Sequence, residues 1–136
     1  MPQAYVLDTS AYIDLGGIDL GPYAAATPVL TSVGVGELAY GLRIGSAEQQ
    51  AVRDRLYREA LEDYEILAFG VEEAKLYGVL ASLVRAAGRS PRPRRLDLQI
   101  AATAAAARLP LLTCNPTDFL GLDGVLDVVT VSRSSA

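Results

Sequence analysis

The stretch Asp97-Leu98-Gln99-Ile100-Ala101-Ala102-Thr103-Ala104, followed by Leu111-Leu112-Thr113-Cys114-Asn115-Pro116-Thr117-Asp118-Phe119, decides how the chain reads. Asp97 to Arg108 is so rich in alanine that its helix propensity is near the maximum, and such a helix lets its neighbours approach closely. Leu111 to Thr113, after Pro110, is a strand-sized apolar run, and it runs straight into a polar turn that ends in an acid. Helix, short strand and acid therefore follow one another within about two dozen residues.

The same units recur on the N-terminal side. Ala4 to Leu7 is a short apolar run that ends at Asp8, Val29 to Thr31 follows Pro28, and further runs cover Glu65 to Phe69 and Val128 to Val131. Between them, Ala47 to Leu61 places Ala51, Val52, Leu56, Ala60 and Leu61 on one stripe, as an amphipathic helix does. Val71 to Ala87 has the same character, and Arg89 to Arg95, with Pro91 and Pro93, is the one clear break between helices. Alternating strands and helices predict an α/β fold, a three-layer α/β/α sandwich around a parallel sheet of about four to five strands. No repeat, linker or low-complexity tail interrupts it, so residues 1–136 are expected to form a single domain.

Composition narrows the chemistry. The chain has 51% hydrophobic residues and 21% charged, enough to bury a core and too apolar for a disordered segment. It contains no histidine, which excludes Ser-His-Asp and Cys-His catalysis and the usual zinc finger. The single cysteine, Cys114, rules out an internal disulfide, and without histidine to activate it a buried reduced thiol is expected rather than a nucleophile. Met1 to Asp8 has no basic region followed by an apolar run. The uncharged stretch from Leu20 to Gly36 is broken by Pro22 and Pro28 and is shorter than the ~20 residues a spanning helix needs. A cytoplasmic protein without membrane contact is the expectation.

In open parallel sheets ligands sit outside the carboxyl ends of the strands, and acids fall there. Asp8 ends the first run, Glu37 lies in the helix after the second, Asp97 opens the alanine-rich helix and Asp118 follows the fourth run. Taken singly, Asp8 and Asp97 read equally well as N-caps, Glu37 as a solvated first-turn glutamate and Asp118 as turn chemistry. Their common location has another use. Neighbouring carboxylates raise one another's pKa and stay ionised only beside a compensating cation. Oxygen ligands alone select hard cations, chiefly Mg2+ or Mn2+, and such sites cleave phosphodiesters.

At these residues the chain resembles the PIN-domain family, and within it the VapC ribonuclease toxins of bacterial toxin-antitoxin modules. The marks are Tyr5-Val6-Leu7-Asp8-Thr9-Ser10, Ser32 to Gly41 with Glu37-Leu38 and Tyr40-Gly41, and the two stretches quoted at the outset, so the resemblance runs end to end. It implies Asp8, Glu37, Asp97 and Asp118 as catalytic, metal-binding acids for Mg2+ or Mn2+, with a hydroxyl from Thr9 or Ser10 nearby. Asn115 stands where many relatives carry aspartate, which leaves one or two metals open. The resemblance further implies an endoribonuclease acting on structured RNA such as tRNA and leaving 5′-phosphate and 3′-hydroxyl ends. It also implies a homodimer and a VapB-type antitoxin that covers the site. Exposed tyrosines and leucines on Ala47 to Leu61 and Val71 to Ala87 are the candidate partner surfaces. The alternative of another class is a non-catalytic PIN-like RNA-binding or scaffolding domain whose acids serve as caps.

Charge adds a second signal. Of the 12 basic side chains only Lys75 is a lysine, and Arg85, Arg89, Arg92, Arg94 and Arg95 crowd a segment free of acids that leads into Asp97. A solvated loop would explain this, but guanidinium groups also bind phosphate in bidentate fashion, making Arg92, Arg94 and Arg95 candidate RNA contacts. The net charge of -4 disfavours indiscriminate binding. Setting the proposed quartet aside leaves 12 acids against 12 bases. Gly34-Val35-Gly36-Glu37-Leu38-Ala39 matches a dinucleotide fingerprint in form, but it does not follow the first strand, and the acid near the required spacing, Asp54, lies mid-helix. An aspartyl-phosphate phosphatase would need an aspartate where Ser10 stands, and no P-loop pattern exists.

Overall fold

The structure, a computed structural model, describes residues 3–134, so Met1 and Pro2 of the N-terminal segment lie outside the described residues. Its strands are β1 (Ala4–Leu7), β2 (Ile18–Asp19), β3 (Thr27–Thr31), β4 (Glu65–Leu67), β5 (Leu111–Thr113), β6 (Val128–Thr130) and β7 (Ser132–Arg133). Its helices are α1 (Thr9–Ile13), α2 (Ser32–Gly41), α3 (Ala47–Asp63), α4 (Val71–Ala86) and α5 (Arg95–Ala107). Five strands form one sheet in the order β4-β3-β1-β5-β6, every neighbouring pair parallel. The three-layer α/β fold expected from the sequence is thus the fold observed. The β2–β7 antiparallel ribbon was not foreseen, because two-residue strands are too short to leave a periodic signal.

Strand periodicity makes the layers. Val6 and Leu111 face one core with Leu80 and Val84 of α4 and Leu98, Ile100, Ala101 and Ala104 of α5. Their chain neighbours Tyr5, Leu7 and Leu112 face the other, with Tyr12 of α1, Leu38 of α2 and Ala60 of α3. Alanine at positions 101, 102 and 104, all at 0% exposure, lets α5 lie close against the sheet and α4. On the opposite layer the Tyr12 hydroxyl donates to the Leu56 carbonyl at 2.6 Å, tying α1 to α3.

The stripe assigned to α3 is rotated from its expected position. Ala60 is buried and Leu56 half-buried, but Val52 and Leu61 are 48% and 46% exposed, while Arg53 and Tyr57 turn inward. Arg53 does so because its guanidinium donates to the carbonyls of Gly41 and Ile44 and closes the turn between α2 and α3. The tyrosines of α3 and α4, Tyr57 and Tyr77, are half-buried, so the exposed apolar groups of these helices are Val52, Leu61, Val71 and Val79.

Sheet order also fixes where a site can form. From β1 the chain passes to β3 and β4 on one side and then, through α4 and α5, to β5 and β6 on the other. The direction of winding reverses beside β1, and the carboxyl ends of β3, β1 and β5 border one crevice there.

The end of α5 is strained. Arg108 caps it in the left-handed region, at φ 57° and ψ 39°, a conformation costly for a residue with a Cβ. We predict that Arg108→Gly raises unfolding free energy by about 0.5–1 kcal/mol. Urea denaturation monitored by circular dichroism checks this. A destabilised variant would show that the arginine side chain outweighs the backbone cost.

Candidate active site

Asp8 is held by three elements. As N-cap of α1 its Oδ1 accepts from the Ala11 amide at 2.8 Å and from the Ser10 hydroxyl at 3.1 Å. Its Oδ2 accepts from the hydroxyl of Thr113, at the end of β5. The register accounts for this pair: Val6 is opposite Leu111 and Leu7 opposite Leu112, so Asp8 emerges beside Thr113. The carboxylate is only 4% exposed and so depends on these donors. The capping role and the site location therefore coincide in one residue.

Glu37 is the sixth residue of α2, in its second turn rather than its first. Helix α2 starts after Thr31, whose hydroxyl accepts from the Gly34 amide at 3.0 Å and sets the entry of the chain. Thr9 donates its hydroxyl to Glu37 Oε1 at 2.6 Å, linking α1 to α2 across the crevice. Asp118 sits in a 3-10 turn, Pro116–Phe119, that follows β5. Asn115 precedes this turn, with its amide nitrogen donating to Thr113 Oγ1 at 2.9 Å and its side-chain Nδ2 to Ser10 Oγ at 3.2 Å.

Asp97 is not an N-cap. Helix α5 starts two residues earlier than expected, at Arg95, and its N-cap, Arg94, makes no side-chain cap hydrogen bond. Asp97 lies inside the first turn, free of capping duty, with its carboxyl pushed up to about 6. Burial is the largest cause, followed by the charges of Asp118, Glu37 and Asp8, and Arg94 opposes the shift. The four acids named from the sequence therefore share one electrostatic environment, with negative charge in excess.

The arginine segment divides. Arg89 Nη1 donates to the Thr117 carbonyl at 2.7 Å, beside Asp118, and Arg94 Nη1 donates to the Ser90 carbonyl at 2.8 Å. Arg94 also has a buried Nε without a hydrogen-bond partner, so it turns inward rather than presenting a free surface charge. Arg92 and Arg95 are exposed.

By donor type the site suits a hard cation, being all carboxylate and neutral oxygen with surplus negative charge. Among the described residues no group of three or more His, Cys, Asp or Glu side chains is already arranged to hold an ion. Both oxygens of Asp8 and one of Glu37 are engaged by hydroxyl and amide donors. Mg2+ tolerates such an arrangement, because it usually keeps several waters and takes only one or two carboxylates directly. Cys114 is half-buried, and burial together with Asp8 and Asp14 raises its pKa, so it stays a thiol.

Sequence reasoning missed Thr113. The signal available was a hydroxyl residue closing an otherwise apolar strand, but its partner lies 105 residues away. Thr9 and Ser10 were expected near the acids, and each contacts one: Thr9 binds Glu37 and Ser10 binds Asp8.

Fold and acids together define a class: a parallel α/β protein with a carboxylate cluster at its topological switch point. No protein-family model matches the chain. It is 33% identical over 132 residues, 93% of each chain, to the protein named Ribonuclease VapC5 of Mycobacterium tuberculosis. The crystal structure of VapBC-5 from the same organism, described as a member of the VapBC family of toxin-antitoxin systems, is similar at TM-score 0.74 and 32% identity, over 95% of this chain and 98% of that one. VapBC2 of Rickettsia felis, bound to a promoter DNA fragment, matches in fold at TM-score 0.69 and 21% identity, over 93% and 96%. The chain belongs to the VapC family of PIN-domain proteins.

The Asp97 shift gives a prediction with a definite sign. Its folded pKa of about 6 exceeds its ordinary value of 3.8, so the neutral carboxyl's advantage is present below pH 3.8 and is lost as pH rises through 6. In chelator, Asp97→Asn should gain stability over the parent as pH rises from 4.5 to 7, by about 1–2 kcal/mol after allowance for solvent screening. Denaturant titrations at the two pH values test it, and a pH-independent difference would exclude the mutual repulsion.

Proposed function

We propose that this chain is the toxin of a VapBC-type pair, a metal-dependent endoribonuclease in which Asp8, Glu37, Asp97 and Asp118 hold Mg2+ or Mn2+. The observation that carries the proposal is the surplus of negative charge around Asp97, contributed by the other three acids of the quartet. A divalent cation supplies, when bound, the compensating charge and the Lewis acidity that phosphodiester hydrolysis needs. The protein's own contribution is orientation. Thr113, Ser10 and the Ala11 amide fix Asp8, and Thr9 fixes Glu37. Asn115, exposed and anchored to Ser10, would orient a water or a phosphate oxygen. Structured RNA, tRNA among it, is the proposed substrate, with products carrying 5′-phosphate and 3′-hydroxyl ends.

A VapB-type antitoxin is the proposed partner, in keeping with the related solved structures, which are toxin-antitoxin complexes. Its dock is an apolar groove of about 480 Å³ between α1, α2 and α3, walled by Ile13, Leu38, Val52 and Leu56 and reaching Thr9 and Glu37. An apolar segment seated there would end at the carboxylates and close the site. A homodimer is part of the same proposal, with Val71 and Val79 of α4 as exposed apolar candidates for its interface. Among the described residues no helix is long and apolar enough to cross a membrane; a cytoplasmic location is part of the proposal.

Purified free of partner, the chain should cleave RNA with Mg2+ or Mn2+ and not with chelator, and Asp8→Asn and Asp97→Asn should each lower the rate by at least about a hundredfold. Thr113→Val, which removes only the support of Asp8, should cost about 10–100-fold in metal affinity or rate. Cleavage unchanged by both aspartate substitutions would remove the site assignment. An absence of carboxylate-dependent Mn2+ binding by calorimetry, with no cleavage, would favour the scaffolding alternative.

A further inference from the structure

The carboxylates have a cavity beside them that the metal does not explain. It measures about 360 Å³ and is lined by Glu37, Arg92, Pro93, Arg95, Leu96 and Asp97. From its geometry we infer that Arg92 and Arg95 form a nucleotide subsite next to the scissile bond. The two arginines take a phosphate, and Pro93 with the 44% exposed Leu96 takes the ribose and base of the same unpaired nucleotide. The inference rests on the nuclease proposal for its scissile bond and adds the substrate feature that the enzyme selects.

Backbone geometry puts the two guanidinium groups on one side. Residues 92–94 form a 3-10 turn, which α5 continues from Arg95. Side chains three apart on such a turn eclipse one another, so Arg92 and Arg95 face the same cavity while Arg94, between them, is turned inward. The inward arginine and Arg89 act as struts, fixing the loop to Ser90 and to the turn that carries Asp118. The subsite is therefore tied to the acids rather than hung on a loose loop.

Charge shows what the cavity suits. Among the described residues the ion pairs use Arg55, Arg58, Lys75 and Arg133, and neither Arg92 nor Arg95 pairs with Glu37 or Asp97. Two unneutralised guanidinium groups beside surplus carboxylate meet a physical need: they draw a polyanion towards acids that would otherwise repel it. The apolar floor of proline and leucine offers a stacking surface without hydrogen-bond readout, so the cavity suits any base that has left its stack. A base held in a duplex does not offer its face to such a floor, so the substrate class that suits it is RNA unpaired at the cleavage position, such as a hairpin loop.

The test uses the full chain in chelator, where binding is measured without turnover. Fluorescence anisotropy with a labelled hairpin RNA compares the parent with Arg92→Gln, Arg95→Gln and, as an exposed arginine outside the cavity, Arg85→Gln. Each cavity variant should raise Kd about tenfold and lower the salt slope by about one, and Arg85→Gln should leave both near the parent's. Calorimetric Mn2+ binding should be the same in all four, showing that the carboxylates are intact. Equal losses for Arg85→Gln and the cavity variants, or no loss in any, would overturn the subsite. So would a loss of affinity for the antitoxin with RNA binding retained, which would make the cavity a protein contact. A duplex RNA of the same composition should bind at least tenfold more weakly, by roughly the same reckoning, and equal binding would overturn the unpaired-nucleotide requirement. Arginine-dependent binding without cleavage by the parent in Mg2+ would remove the nuclease proposal and leave the subsite standing.

Discussion

The carboxylate of Asp8 accepts from the Ala11 amide and from the hydroxyls of Ser10 and Thr113, and so joins β1, α1 and β5 at one point. Everything at the carboxyl edge of the sheet is referred to this point. Because Asp8 caps α1, that helix starts immediately after β1 and brings Thr9 within 2.6 Å of Glu37. The register that sets Asp8 beside Thr113 also brings Asn115 and the turn bearing Asp118 to the same edge. A buried carboxyl without such donors would be costly, and here the fold supplies all of them from backbone and hydroxyl groups. These donors are uncharged, so the negative charge of the acids stays in surplus.

That surplus separates the acids by role. Asp8 and Glu37 are braced by donors, whereas Asp97 has burial and three like charges against it and only Arg94 opposing. On the proposed reading, bracing two acids and leaving one repelled by its neighbours would favour the entry of a cation. The repulsion that would drive cation uptake on that reading also weakens the fold without a cation.

Much of this was legible in the sequence, for a physical reason. The five strands of the main sheet were found because each is a short apolar run bounded by proline or polar residues, and the four acids were singled out because ligands of parallel sheets sit at strand ends. What could not be read depended on contacts distant in sequence. The Asp8–Thr113 pair needs the register of two strands, and the rotation of α3 needs Arg53 to reach back to Gly41 and Ile44. Asp97 misled for a local reason: an aspartate at the head of an alanine-rich helix resembles a cap. Three more residues, in a proline-broken arginine turn, carry the chain into the helix first.

The proline-arginine turn also bears on the global charge. A net charge of -4 would disfavour RNA binding if it were spread evenly over the surface. It is not so spread, because Asp8, Glu37 and Asp118 add their charge around Asp97, and Arg92 and Arg95 are exposed beside Glu37 and Asp97. A polyanion approaching elsewhere meets a surface of mixed sign, as the ion pairs along α3 and α4 illustrate. At the crevice unpaired arginine and surplus carboxylate adjoin, so a phosphate and a divalent cation would each lower the cost of bringing the other in. Charge separation over a few residues, rather than an overall basic field, is then what would confine RNA to the edge of the sheet where the acids stand.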